Sequence, residues 1–188
     1  MSTQVESVQK ESLGNVLDSS RVIGTERYSS AMAYRNHNVV GRLAQKCGMS
    51  LIEAEQCFED TKQFLYLCDV LPGSYCPTKT IDEGWHAFIL FTKDYALFCQ
   101  NYLGRFIHHI PTTSVSEVDT GRPARTLKAA VLLFGIENLS PNWIFQSENG
   151  SEHVLMPQMV LGDDWDEVLD MIGPCGDSCG CNASCRGD

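Results

Sequence analysis

Apolar positions recur three and four residues apart through the middle of the chain, the spacing that lets one face of a helix bury itself. From Val39 to Cys47 this pattern holds and stops at Gly48, a good C-cap position. Ser50-Leu51-Ile52-Glu53 forms a capping box, in which the serine oxygen and the Glu53 carboxylate satisfy exposed backbone donors. It opens a long helix carrying Leu51, Ala54, Phe58, Phe64, Leu65 and Leu67, ended by Pro72-Gly73. Thr80-Ile81-Asp82-Glu83 reads as a second capping box and predicts a helix from Ile81 with Trp85, His86, Phe88, Ile89, Leu90 and Phe91. Thr92 predicts a cap for a further helix, with Asp94 in its first turn and Tyr95, Phe98, Cys99 and Tyr102 along it, to Gly104. Pro123 starts another helix through Leu127, Ala130, Val131, Leu133 and Phe134, and residues 163–171 read as a last short one. No stretch reads as a hairpin.

The expected fold is therefore mainly α: a single irregular bundle of five or six helices. Residues 1–35 are polar, with weak periodicity. They read as a flexible arm with a short helix around Val16 to Ile23. Residues 36–172 form the helical domain. Residues 173–188 form a Cys- and Gly-rich tail with nothing else to pack.

Charge narrows the function classes. The chain has 24 acidic against 14 basic residues, a net charge of −10, which opposes binding to nucleic acid or to an anionic membrane. Ala44, Gly48 and Ser50 sit in a helix-turn-helix register. The helix that would read DNA carries Glu53, Glu55, Glu59 and Asp60, which repel phosphate. The longest apolar runs, Ala87 to Phe91 and Ala129 to Phe134, are too short to span a bilayer, and the first 20 residues lack a signal-peptide core. A cytoplasmic setting follows, where clustered thiols bind metal more often than they pair.

Two clusters carry candidate chemistry. The first runs from Asp82 through His86 and Cys99 to His108 and His109, donors that suit zinc and similar ions. In an unbroken helix His86 and Cys99 would lie about 220° apart, so both reach one ion only if the chain turns between them. Adjacent His108 and His109 point to opposite faces of an extended strand, so one of the two joins a site. Asp82, one turn before His86, is a ligand or a partner that orients one. The plain alternatives are a core histidine packed with Trp85 and a first-turn acid held by the helix dipole. The second cluster is Cys175, Cys179, Cys181 and Cys185, four thiols suited to a soft ion or to redox pairing, though not in the paired spacing of zinc ribbons. The five body cysteines sit among apolar neighbours and read as small buried hydrophobes.

Asp82-x-x-Trp85-His86, Ile89-Leu90, Thr92, Tyr95, Cys99, Gly104 and His108-His109-x-Pro111 together resemble the signature of the glycine-rich-domain-containing protein-like family, over about residues 50–111. Where many relatives have W-H-x-H, an aspartate after the Ile-Leu pair and an acid before the cysteine, this chain has Phe88, Phe91 and Phe98. The resemblance implies kinship without implying a reaction. The reading that follows is a metal-binding or protein-interaction module with an unidentified protein partner and zinc as the expected ion. The alternatives are a hydrolase-like metal enzyme and a substrate whose tail another enzyme modifies. Arg186-Gly187-Asp188, the Asn138 and Asn182 sequons, and the acids Asp163, Asp164, Asp166 and Glu167 read as incidental.

Overall fold

The computed structural model describes residues 25–110, 121–146, 154–157 and 183–184. Six α-helices build the body among these residues: α1 (Glu26–Ala33), α2 (His37–Cys47), α3 (Leu51–Val70), α4 (Lys79–Ile89), α5 (Thr92–Tyr102) and α6 (Arg122–Phe134). Two antiparallel pairs, each two residues long, join Ser74–Tyr75 to Ala183–Ser184 and Phe145–Gln146 to Val154–Leu155. None of the described helices is long and apolar enough to cross a membrane. The mainly helical expectation holds.

The central element is α3. Its buried residues, from Ala54 through Phe58, Thr61 and Leu65 to Cys68, surround the helix, and α1, α2, α4 and α6 all pack on it. A helix buried on all sides is a core helix rather than a surface one. Its start is the capping box read from the sequence: the Ser50 amide donates to Glu53 Oε2 at 2.8 Å, and the Glu53 amide donates to Ser50 Oγ. α2 ends where Gly48 adopts φ 65°, a left-handed turn that costs glycine little.

Three local expectations change. α1 lies inside the stretch read as an arm; buried Tyr28 and Ala31 tie it to the core, so residues 25–35 belong to the helical body. α4 starts two residues early, because Thr78 rather than Thr80 accepts the Ile81 amide. Thr78 was available for this because its own hydroxyl is held by the Asn142 carbonyl at 2.6 Å, a contact remote in sequence. Thr92 is the first residue of α5 rather than its cap; Phe91 holds the cap position without a side-chain hydrogen bond. The expected helices at Val16–Ile23 and 163–171 lie outside the described residues.

Buried polar side chains lock α3 to its neighbours. Lys62 is wholly enclosed and donates to the Met32 and Tyr34 carbonyls at 2.7 and 2.8 Å and to Glu59 at 2.9 Å. It thereby caps the end of α1. Burial pushes its amine down to about 8, against the pull of Glu59. On the other side of α3, Asp60 accepts from Ser140 Oγ and Asn142 Nδ2, both at 2.7 Å, and from Gln56 Nε2 at 3.2 Å.

α4 meets α3 through Gly84. A Cβ there would overlap the Thr61 hydroxyl oxygen and press on Cys57 Sγ at 3.2 Å. Thr61 cannot swing aside without losing its 2.7 Å bond to the Cys57 carbonyl. Alanine in mid-helix normally stabilises by about 0.5–1 kcal/mol over glycine, whereas overpacking costs about 1–3 kcal/mol. Gly84→Ala should therefore destabilise by a net ~1–2 kcal/mol, visible as a lower denaturation midpoint. An unchanged or raised midpoint would mean the two helices do not approach this closely.

Candidate metal centre

α4 is amphipathic in a way that sorts its residues by chemistry. Ile81, Trp85 and Phe88 are fully buried toward the core. Asp82 and His86, four residues apart, share an adjoining stripe one turn long. His86 Nδ1 lies 3.2 Å from Asp82 Oδ2.

The chain breaks between α4 and α5 at Leu90–Phe91, so the two helices pack on each other instead of continuing. After α5 comes an arm of residues 103–110: the chain bends over residues 103–105, and residues 106–110, in no regular element, run back to the start of α4. Along this arm Ile107 is buried and His109 nearly so, while Phe106, His108 and Ile110 are exposed, the alternation of an extended segment. His109 Nε2 thereby reaches Asp82 Oδ1 at 3.1 Å, across 27 residues of sequence.

The result is a three-residue cluster. One potential ligand atom from each of Asp82, His86 and His109 lies within 4.8 Å of the others. The two imidazole rings sit 4.4 Å apart between centroids. Trp85 packs its edge against His109 at 4.7 Å and closes the inner side. Exposure is graded: the Asp82 and His109 side chains are 8% and 9% exposed, His86 45%. The cluster is thus rooted in the protein and open on the His86 side. Asp82 turns one oxygen toward each ring, Oδ2 toward His86 Nδ1 and Oδ1 toward His109 Nε2.

Ion–ligand distances of about 2.0–2.2 Å require ligand atoms about 3.0–3.6 Å apart. Both aspartate–histidine spacings already meet this. The donors are hard and borderline, one carboxylate and two imidazoles, which suits zinc or another divalent first-row ion. Three protein donors leave at least one position for water.

Of the residues singled out from sequence, the structure brings together Asp82, His86 and His109. His108 is exposed and lies tilted against Phe106, ring centroids 4.7 Å apart, as expected for one of two adjacent histidines. Cys99 does not join them. It is buried among the core residues, and burial pushes its thiol up, against hydrogen bonds from the Ile107 backbone and Tyr95 that pull it down. A buried thiol kept protonated is a poor ligand. Among the described residues Cys47, Cys57, Cys68, Cys76 and Cys99 are not joined in disulfides, and burial pushes the Cys57 thiol up to about 12. Cys175, Cys179, Cys181 and Cys185 lie outside the described residues. Phe88 and Phe98, apolar where the resembling family is polar, fill the core: Phe88 packs on Phe58, Tyr95 and Phe98 with centroids 5.0–5.3 Å apart. They stand apart from the cluster.

The sequence pattern leaves Asp82 as either a ligand or a partner that orients one, and gives no sign of the part of Tyr95. The Tyr95 hydroxyl accepts from Trp85 Nε1 at 3.0 Å and donates to the Ile107 carbonyl at 2.5 Å. Burial pushes its phenol upward, so the hydroxyl keeps its proton.

Fold and cluster together define a helical-bundle protein with an Asp–His–His centre at its surface. The chain belongs to the UCP032817-like family, whose model matches residues 27–133, more than half of its length. The matched stretch contains all three residues of the cluster. No curated protein and no solved structure matches.

Proposed function

We propose that this protein is a metal-binding helical module in which Asp82, His86 and His109 hold one divalent ion, zinc being the expected one. The observation that carries this reading is the convergence of three ligand atoms from α4 and the 103–110 arm on one small volume. A histidine that merely fills a core has no reason to share a carboxylate with a second, half-exposed histidine. The open coordination position supports the alternative reading as a metal-dependent enzyme of hydrolytic type, because a bound water there would be acidified by the ion. The Cys175–Cys185 cluster is proposed as a separate soft-ion or modification site, and the bundle as the surface that meets a protein partner. Kinship with the glycine-rich-domain-containing protein-like family and a cytoplasmic setting belong to the same proposal.

Elemental analysis of anaerobically purified full-length protein tests it. Three forms are compared: unaltered, with all four tail cysteines changed to serine, and with His86→Ala and His109→Ala together. The expected result is about one ion per chain that survives the serine changes and disappears with the histidines. An ion that leaves with the tail cysteines and ignores the histidines would move the site to the tail.

A further inference from the structure

The cluster depends on where the 103–110 arm lies, and that arm has no helix or sheet ladder of its own to place it. Side-chain contacts to α3 and α5 do so. Arg105 Nη2 donates to the Cys68 carbonyl at 2.5 Å, fixing the near end to α3. The Tyr95 hydroxyl donates to the Ile107 carbonyl at 2.5 Å, two residues before His109. Ile107 and His109 point the same way from an extended backbone, so a fixed Ile107 sets both the depth and the direction of the imidazole. The same hydroxyl accepts from Trp85, the residue directly before His86. Trp85 in turn lies edge-on against His109. One buried oxygen therefore joins the segment bearing Asp82 and His86 to the segment bearing His109. It touches none of the three.

We infer that Tyr95 is the positioning residue of the Asp82–His86–His109 centre: its hydroxyl holds the Ile107 carbonyl so that His109 meets Asp82. The inference rests on the metal-binding reading for its consequence, and stands on its own for the geometry. Phenylalanine keeps the ring, which contacts Phe88 and Phe106 at 5.2 and 5.1 Å, and removes only the hydroxyl. The arm then loses this contact and Trp85 its acceptor. Partners that orient metal ligands are worth about 10- to 100-fold in metal affinity.

The test compares unaltered full-length protein with Tyr95→Phe and with a core control, Phe98→Leu, which lowers stability without touching the arm. Two readouts are taken. In metal-free protein with ¹⁵N-labelled histidine, NMR follows the His109 ring, whose Nε2 lies 3.1 Å from Asp82 Oδ1. Zinc titration against a chromophoric chelator gives affinity. The expected result for Tyr95→Phe is a shifted or broadened His109 ring signal and zinc binding weakened about 10- to 100-fold, with Phe98→Leu normal in both. A Tyr95→Phe protein that keeps the His109 signal and the zinc affinity overturns the inference, as does a Phe98→Leu protein that loses both. If unaltered protein fails to bind zinc, the metal reading falls and the histidine signal alone decides the role of Tyr95. If Tyr95→Phe does not fold, the Tyr95 hydroxyl proton of unaltered protein is followed by NMR instead: a proton protected from exchange and close to the Ile107 backbone supports the inference, and a freely exchanging one sinks it.

Discussion

Asp82→Ala is expected to weaken zinc binding by at least about 100-fold, the largest effect of any single change at the centre. The reason is that Asp82 serves twice. It supplies a charged donor, and its two oxygens hold His86 and His109 at 3.2 and 3.1 Å in a shared orientation. Removing it leaves two rings without a common reference, one of them on a half-exposed side chain. Asp82→Asn keeps the shape and one oxygen but loses the charge, so its loss should be smaller. Glu83 supplies the control. It is the next residue on α4 and pairs with Lys46 Nζ at 2.5 Å near the surface, on a different face. Glu83→Ala should leave zinc affinity unchanged. Competition with a chromophoric chelator separates the three. Equal affinities for Asp82→Ala and Glu83→Ala would remove Asp82 from the site.

The second large effect concerns the fold. Asp60 is 1% exposed and gathers donors from Ser140, Asn142 and Gln56. Two of those donors belong to the segment around the short 3₁₀ turn Pro141–Trp143, whose Asn142 carbonyl also receives the Thr78 hydroxyl at the cap of α4. Asp60→Ala takes the shared acceptor from half-buried Ser140 and Asn142 and exposed Gln56, and opens a void beside Trp143, which is itself fully buried. Losing the acceptor of such neutral donors costs about 1–3 kcal/mol, and the void beside Trp143 adds to it. Chemical denaturation should show a loss of that size.

The acid–base behaviour of Asp60 gives the same network a second signature. Burial raises its carboxyl above the ordinary carboxylate value, while the hydrogen bonds from Ser140, Asn142 and Gln56 pull it back only in part. The folded protein therefore holds this proton more tightly than the unfolded chain. By linkage, that contribution is present at acid pH and is lost as pH rises through the raised value. Asp60→Asn has no proton to lose. The stability of unaltered protein relative to Asp60→Asn should fall as pH rises from about 4. A difference that grows with pH would reverse the sign and contradict the burial of this carboxylate.

Some of this could be read from the chain alone, and some could not. The start of α3 was legible because a capping box is closed by residues three apart, and the end of α2 because glycine tolerates φ 65° without help from elsewhere. The start of α4 was misplaced by two residues for the opposite reason. Thr78 and Thr80 are equally good caps locally, and the choice is made by Asn142, 64 residues away. α1 was hidden because only Tyr28 and Ala31 of its eight residues are buried. Its hold on the body comes from Lys62 and the aromatic partners of Tyr28 on other elements, Tyr66 and Phe134.

The centre divides along the same line. The sequence by itself determined that Asp82 and His86 share a helix stripe, because one helical turn is fixed geometry, and that His108 and His109 face opposite ways, because an extended backbone alternates. Which of the two histidines turns inward was left to tertiary structure, and so was the exclusion of Cys99. Both were settled by the path of residues 103–110, held to α3 by Arg105 and to α5 by Tyr95 through bonds to backbone carbonyls. Every residue has a carbonyl, so such bonds leave no mark in the pattern of side chains. They form only once α3, α4 and α5 have packed and brought their donors within reach.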